Sequence, residues 1–353
     1  MLDILIEYGL LGAFLLLVIG LILLIGGGEI LVRGASRLAI TLGISPLVVG
    51  LTIVAICTSA PELAVSVTSS LYDRSGMALG NVVGSNICNV CLILGLAAVL
   101  RPLQVSASLL RREIPLMIFL SFVVLIFGYL GGLGNIIDII EGRFDGRITR
   151  FEGAVLTLGM VAYLMWTVYE IRKNPKQDAE YIAEMEGKVL GDNATVSMFG
   201  ITGRIVASVC GIIIGLGLLL LGSDMLIKSG TRIAIEFGVS ELVIGLTVLA
   251  VGTSLPELVV SVVAVLRKKS DIAIGNVVGS NIFNILGVLG LSAFVSPQGL
   301  EVDHRAMQFD IPAMIVTSIF CIILCFTGQR INRFEGIFLL LIYAMYIGLA
   351  CLA

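Results

Sequence analysis

The stretch from Ala55 to Val67 reads AICTSAPELAVSV, and the stretch from Ala250 to Val262 reads AVGTSLPELVVSV. Each is a hydrophobic run that is interrupted by the same polar sequence, Thr-Ser-x-Pro-Glu. Proline lacks the N–H that a helix would use at its position, and its ring clashes with the carbonyl four residues earlier. The two stretches therefore predict a helix that is broken next to a glutamate, and they predict it twice.

The composition predicts that lipid surrounds most of the chain. Of its 353 residues 58% are hydrophobic and 13% are charged, whereas soluble domains carry about 25% charged residues. A net charge of −3 excludes a basic nucleic-acid-binding surface. A spanning helix needs about 20 mostly apolar residues, and ten runs qualify: 9–33, 42–72, 77–100, 113–133, 151–171, 203–229, 237–266, 271–294, 308–328 and 333–352.

The ten runs form two groups of five that are copies of each other. A shift of 195 residues places GNVVGSNICN (80–89) on GNVVGSNIFN (275–284), and a similar shift places TRFEG (149–153) on NRFEG (332–336). Because five spans are an odd number, the second copy enters the membrane from the opposite side, as in many secondary transporters. We therefore predict an all-α membrane protein of ten transmembrane helices as two inverted five-helix repeats. The predicted divisions are a first five-span repeat, a cytoplasmic linker loop and a second repeat, with bounds 1–171, 172–202 and 203–353.

The basic residues predict the orientation, because cytoplasmic loops are enriched in lysine and arginine. With the N-terminus outside, the cytoplasmic side holds 15 of the 22 basic residues and the outside holds 7. The prediction is a multi-pass protein of the cell (inner) membrane with both termini outside.

The broken helices and the helices that follow them carry many oxygen donors. Thr58 and Glu62 lie one helical turn apart, and Asn81, Ser85 and Asn89 form a stripe on the following helix. Hydroxyls, carboxylates, amide oxygens and loosened carbonyls are the ligands that hard cations prefer, and a glutamate inside a span indicates a functional site. For Asn81 and its copy Asn276, a purely structural role in holding two helices together is equally consistent with the pattern.

These motifs make the whole chain resemble the cation/calcium exchanger superfamily, in its prokaryotic sodium/calcium exchanger branch. The resemblance implies that the entry of Na⁺ drives the extrusion of Ca²⁺, and it implies central ion ligands in both repeats. In the first repeat these are Ala55, Thr58, Ser59, Glu62, Ser85 and Asn89. In the second repeat they are Ala250, Thr253, Ser254, Glu257, Ser280 and Asn284. The two alanines would contribute backbone carbonyls.

One position departs from the family pattern. Several sodium/calcium exchangers have an acidic residue where this chain has Asn284, so that both Asn89 and Asn284 are amides here. A titratable group is thereby removed from the predicted site.

Other functions remain as alternatives or are disfavoured. A proton/calcium exchanger or a potassium-dependent sodium/calcium exchanger of the same superfamily would have a similar sequence. A passive cation channel is disfavoured by the inverted duplication. An enzyme is disfavoured because the chain has no HExxH and no G-x-S-x-G motif. We expect no cofactor and no obligate protein partner, with Ca²⁺ and Na⁺ as the substrates and the lipid bilayer as the surroundings.

Overall fold

The computed structural model describes residues 9–130, 146–173, 200–237, 252–326 and 328–352. The α-helices in chain order are α1 (Gly9–Leu42), α2 (Pro46–Val49), α3 (Ala55–Thr58), α4 (Ala60–Leu71), α5 (Ser75–Cys88), α6 (Leu94–Leu100), α7 (Ile114–Leu130), α8 (Arg150–Lys173), α9 (Ile201–Glu236), α10 (Leu255–Leu266), α11 (Ser270–Phe283), α12 (Gly290–Val295), α13 (Ile311–Phe326) and α14 (Arg333–Leu352). The π-helical stretches are Gly50–Val54, Asn89–Ile93, Leu109–Glu113, Asn284–Leu289 and Ala306–Asp310. The short strands are β1 (Leu103–Gln104), β2 (Gly146–Ile148), β3 (Leu300–Val302) and β4 (Arg330–Ile331).

Seven helical segments of the described chain are long and apolar enough to cross a membrane, and the segments 46–58 and 60–71 add an eighth when they are taken together across their break. All eight coincide with predicted spans, so the chain is a multi-pass membrane protein. The other two predicted spans, 113–133 and 237–266, extend into residues outside the described ranges. Most of the predicted linker 172–202 also lies outside them.

The chain divides into two compact units, and each unit contains segments from both halves of the sequence. Unit 1 consists of Met1–Thr58 and Leu164–Asn276, and unit 2 consists of Ser59–Tyr163 and Val277–Ala353. Residues of the first repeat therefore contact residues of the second repeat inside each unit.

Unit 1 is built around the close packing of α1 against α9. A methyl group placed on Gly27 would lie 2.8 Å from the carbonyl oxygen of Gly215, and one placed on Gly20 would lie 3.0 Å from that of Gly222. The two helices are antiparallel, because the residue numbers rise along α1 as they fall along α9. Small residues allow this approach and increase the van der Waals contact that drives helix association in lipid.

The contact between α1 and α9 is also reciprocal. Gly215 is the repeat copy of Gly20, and Gly222 is the copy of Gly27, at the shift of 195 residues. Each glycine therefore contacts the copy of the other one, which is the pattern of contacts that a two-fold axis produces.

Unit 2 packs α6 against α14 and α8 against α12 at a further set of close approaches. A methyl group on Gly95 would lie 3.0 Å from the carbonyl oxygen of Gly336, and one on Gly153 would lie 2.8 Å from that of Gly290. Gly290 is the repeat copy of Gly95. The third span of each repeat therefore packs on the fifth span of the other.

The repeated motif TRFEG/NRFEG forms the N-terminal caps of α8 and α14. The Glu152 carboxylate accepts a hydrogen bond from the Thr149 N–H at 2.7 Å, and the Glu335 carboxylate accepts one from the Asn332 N–H at 2.6 Å. In return the Thr149 hydroxyl and the Asn332 amide oxygen accept bonds from the glutamate N–H groups. Both motifs are capping boxes, which supply partners for amides that a helix start leaves unpaired.

Antiparallel strand pairs also lie in unit 2. Strand β1 pairs with β4, with Leu103 opposite Ile331, and β2 pairs with β3, with Arg147 opposite Glu301. Both pairs join a residue range of the first repeat to one of the second.

The glycines of the repeated GNVVGSN sequence differ in their described neighbours between the two copies. A methyl group on Gly275 would lie 2.9 Å from the carbonyl oxygen of Leu47 in unit 1. Around Gly80 and Gly84, no described atom lies within 4 Å of such a group.

Candidate ion-binding site

The first Thr-Ser-x-Pro-Glu motif interrupts a helix at its serine, as predicted, and the second begins a helix immediately after its serine. Helix α3 ends at Thr58 and α4 begins at Ala60, with Ser59 at φ −81° and ψ 10° between them. Ser254 has nearly the same conformation, at φ −87° and ψ 8°, immediately before α10. Pro61 and Pro256 lie in the first turn of their helices, where a missing N–H costs nothing because no intrahelical partner is available.

The break places each glutamate in the first turn of a new helix. Glu62 lies in the first turn of α4 and Glu257 in that of α10, and both side chains are completely buried. The positive end of the helix dipole stabilises a carboxylate at this position. A buried carboxylate also needs compensating charge or hydrogen bonds, which the next helix supplies in part.

In unit 2, α5 supplies hydrogen bonds to α4. The Ser85 hydroxyl donates to the Glu62 carboxylate at 3.4 Å. The Asn81 amide donates to the Glu62 backbone oxygen at 3.2 Å and to the Ser66 hydroxyl at 2.9 Å. The polar stripe of α5 therefore faces the start of the broken helix, as the spacing predicts.

In unit 1, α11 repeats this arrangement and adds a residue from the first repeat. The Asn276 amide donates to the Glu257 backbone oxygen at 3.3 Å and to the Ser261 hydroxyl at 3.0 Å. The Thr58 hydroxyl donates to the Asn276 amide oxygen at 3.0 Å. Asn276 thus joins a predicted ligand of the first repeat to a predicted ligand of the second.

These bonds favour the structural interpretation of Asn81 and Asn276. In both copies the NH₂ group ties two helices together, at the glutamate backbone and at a serine one turn later. In Asn276 the amide oxygen is engaged as well, by Thr58.

Unit 2 also contains four asparagines that bond across the two repeats, which we call the asparagine cluster: Asn86, Asn89, Asn281 and Asn284. The Asn89 amide donates to the Asn281 amide oxygen at 2.9 Å, and the Asn284 amide donates to the Asn86 amide oxygen at 3.1 Å. The Asn86 amide donates to the backbone oxygen of Asn281 at 3.4 Å, and the Asn281 amide donates to that of Asn86 at 3.3 Å. All four side chains are at most 2% exposed.

Two methionines complete the cluster. The Asn86 amide lies 3.6 Å from the Met314 sulfur, and the Asn281 amide lies 3.3 Å from the Met117 sulfur. Each contact that a residue of the first repeat makes with the second has a counterpart in which the two repeats exchange roles, as in the contact between α1 and α9. The cluster therefore joins equivalent helices in unit 2 by directional bonds.

The structure divides the predicted ligands between the units. Unit 1 contains Ala55, Thr58, Thr253, Ser254 and Glu257, and unit 2 contains Ser59, Glu62, Ser85, Asn89, Ser280 and Asn284. Ala250 lies outside the described residues. That Glu62 and Glu257 face each other, and that the set binds ions, stay predictions.

Sequence reasoning missed Asn86 and Asn281 as well as Ser66 and Ser261. A signal for them was present, because each pair occupies the same position in the two copies and lies inside a hydrophobic run. Ser66 and Ser261 follow the glutamates by four residues, which is one helical turn.

Comparison with known proteins extends these observations to the whole chain. Residues 12–169 and 207–352 match the model of the family described as sodium/calcium exchanger protein. The chain is 38% identical over 340 residues to the putative antiporter CaxA of Alkalimonas amylolytica, and the match covers 95% of this chain and 97% of that protein. It is 34% identical over 347 residues to the sodium/calcium exchanger MaX1 of Methanosarcina acetivorans, which covers 95% of this chain and 97% of that protein.

A solved structure shares the fold along almost the whole length. The sodium-calcium exchanger NCX_Mj, soaked with 2.5 mM Na⁺ and 0.1 mM Ca²⁺, superposes with a TM-score of 0.74 at 29% identity, over 95% of this chain and 97% of that one. The repeated glutamate motifs, the buried donors beside them and these full-length matches agree, and the chain belongs to the sodium/calcium exchanger protein family.

Proposed function

We propose that this protein is a secondary active antiporter that exchanges Na⁺ for Ca²⁺ across the cell membrane. The observation that carries the proposal is the doubled, fully buried glutamate in the first turn of a helix, with hydroxyl and amide groups of the next helix beside it. This arrangement lies in a chain that matches sodium/calcium exchangers over nearly its full length. The relatives are named as exchangers or antiporters, which agrees with transport rather than catalysis.

We further propose that ten spans form two inverted repeats, residues 1–171 and 203–353, joined by the linker 172–202. The reciprocal contacts of α1 with α9 and of the asparagine cluster support a two-fold relation between the repeats. The distribution of basic residues supports termini outside and a linker in the cytoplasm.

For the ion site we propose the ligand set predicted from the resemblance, with the ions at mid-membrane between the repeats. All its described members are buried except Thr253, which is half-buried, and all offer oxygen atoms. Two glutamates supply two negative charges, which one Ca²⁺ balances. The set contains only these two acidic side chains, so the remaining ligands are neutral and do not titrate near neutral pH.

The coupling of the two ions follows from the cost of burying charge. Two carboxylates in a low-dielectric site are destabilised unless cations accompany them. A site filled by Ca²⁺ or by several Na⁺ ions is compensated and can change its access from one membrane face to the other, whereas the empty site cannot do so cheaply. The same penalty favours exchange over leak. Following the resemblance, we propose that movement of spans one and six against the other eight alternates the access.

The test is ⁴⁵Ca²⁺ uptake into proteoliposomes that are loaded with Na⁺ and diluted into Na⁺-free buffer. We expect gradient-dependent uptake by the wild type and no uptake above protein-free vesicles for Glu62→Gln and Glu257→Gln. Glu301→Gln is the matched control, because Glu301 is exposed and pairs with Arg147; it should transport like the wild type. Uptake at the wild-type rate by both glutamine variants would reject the site.

Three further conditions separate the alternatives. A proton gradient in place of the Na⁺ gradient tests a proton/calcium exchanger. Addition of K⁺ tests potassium dependence, and flux without any counter-ion gradient tests a channel. We expect the Na⁺ gradient alone to be sufficient.

A further inference from the structure

We infer that Asn86 and Asn281 are positioning residues, each of which orients the amide of an ion ligand that belongs to the opposite repeat. The inference rests on the proposed function, because it concerns the ligands Asn89 and Asn284. It assigns a role in ion selection to two side chains that are not themselves ligands.

The first step is the chemistry of an amide. An asparagine side chain has an acceptor on one side and an NH₂ donor on the other. As a cation ligand it must present its oxygen, and rotation by half a turn would present the NH₂ group instead. A carboxylate has no such requirement, since both of its atoms are acceptors. The replacement of an acid by Asn284 therefore creates a need for orientation.

The second step is the direction of the bonds in the asparagine cluster. Asn284 donates its NH₂ group to Asn86 at 3.1 Å, and Asn89 donates its NH₂ group to Asn281 at 2.9 Å. The orienting amides are themselves fixed, because Asn86 and Asn281 donate to each other's backbone oxygens. Their own side-chain oxygens are thereby left as acceptors for the ligand amides.

The third step concerns the side-chain oxygens of Asn89 and Asn284. Among the described residues, the side-chain oxygens of Asn89 and Asn284 are buried and accept no hydrogen bond. A buried acceptor without a partner is costly, and a cation supplies the missing partner. The cluster thus holds two amide oxygens ready for an ion, and each repeat orients the ligand of the other.

The test is a set of double-mutant cycles on the detergent-purified full chain, with calcium chloride and sodium chloride titrations followed by calorimetry. We expect Asn86→Ala to weaken Na⁺ and Ca²⁺ binding by about fivefold to tenfold, the worth of one hydrogen bond. In the Asn284→Ala background, Asn86→Ala should weaken ion binding by less than about twofold, because the amide that Asn86 orients is already absent.

The matched control uses the ligand that Asn86 does not orient. In the Asn89→Ala background, Asn86→Ala should weaken ion binding as much as it does in the wild type, although Asn89 is only three residues away along the chain. The same cycles for Asn281 should give the opposite result: coupling with Asn89 and additivity with Asn284. If the role of Asn86 and Asn281 is only structural, each alanine substitution should weaken ion binding by the same factor in every background. That result would overturn the inference.

Folding and function are separated by two further measurements. Thermal unfolding is recorded for every variant, and Asn86→Leu and Asn281→Leu replace any alanine variant that does not fold. If none of these variants folds, the cluster is structural and the inference is overturned. If the wild type exchanges ions but every cycle is additive, only the positioning role fails. If the wild type neither binds nor exchanges Na⁺ and Ca²⁺, the proposed function fails.

Discussion

Helices α5 and α11 contain the same sequence, GNVVGSN, and their N-terminal halves lie in opposite surroundings. On α11, Gly275 is buried against Leu47 and Gly50, and Asn276 is completely buried. On α5, Gly80 is exposed and Asn81 is only half-buried. Sequence does not account for this difference, because the residues are identical.

The largest expected effect comes from the asparagines at the centre of this comparison. Asn276→Ala removes the partner of Thr58, of the Glu257 backbone and of Ser261, all inside unit 1. We expect a loss of about 3 kcal/mol in the free energy of unfolding, because several buried groups are left unpaired. Asn81→Ala should cost about 1 kcal/mol, since water can reach the half-buried site. Thermal unfolding in detergent measures both, and equal losses would contradict the comparison.

The glycines one residue earlier provide the second test. Gly275→Ala places a methyl group 2.9 Å from the Leu47 carbonyl oxygen, and we expect a cost of about 1–3 kcal/mol from overpacking. Gly80→Ala meets no described atom within 4 Å and should gain up to about 1 kcal/mol from helix propensity. The measurement is whether each substitution raises or lowers the unfolding temperature. Destabilisation by Gly80→Ala would show that the first copy is as closely packed as the second.

A third pair extends the comparison to the carboxylates that end the π-helical stretches Leu109–Glu113 and Ala306–Asp310. The Tyr163 hydroxyl donates to the Glu113 carboxylate at 3.0 Å, and the Tyr346 hydroxyl donates to that of Asp310, also at 3.0 Å. Glu113 is buried and Asp310 is partly exposed. We expect Tyr163→Phe to cost about 1–2 kcal/mol and Tyr346→Phe about half as much, measured by thermal unfolding. The reverse order would show that exposure does not control the cost.

The smallest effect concerns the turns that precede α5 and α11, which read Tyr72-Asp73-Arg74 and Arg267-Lys268-Lys269. Burial lowers the pKa of Lys269, and the cations Arg37, Arg267 and Arg33 lower it further, while Glu29 opposes them. Protonated Lys269 therefore destabilises the fold. As the pH rises from the lowered pKa towards the ordinary value of 10.5, the folded state loses this proton first and its stability increases.

Lys269→Gln should accordingly raise the unfolding temperature slightly at pH 7, and this gain over the wild type should shrink by pH 10. Lys268→Gln, at an exposed position in the same turn, is the control and should change neither value. A Lys269→Gln variant that is less stable than the wild type at pH 7 would contradict the account.

Local chemistry allowed much of this structure to be predicted. The helix break before Glu62 and the helix start before Glu257 follow from Pro61 and Pro256, which act through their own backbone. The donors beside Glu62 follow from helical spacing, as Ser85 shows. The partners of Asn86 could not be predicted, because its contacts join residues 195 to 228 positions apart and depend on how the helices approach each other. The different surroundings of Gly80 and Gly275 could not be predicted either, because the two glycines occupy the same position in identical stretches of sequence.

The capping boxes of α8 and α14 have a consequence for bilayer thickness. A capping box supplies acceptors for two amides at the start of the helix, so both helices depend less on water there and can begin close to the edge of the hydrocarbon. At 1.5 Å per residue, the 20 residues of α14 span about 30 Å and the 24 residues of α8 span about 36 Å. The hydrocarbon core is about 30 Å thick. Helix α14 is therefore only just long enough to cross the hydrocarbon core. A thicker bilayer would cause hydrophobic mismatch at the ends of α14 before it did so at the ends of the longer α8.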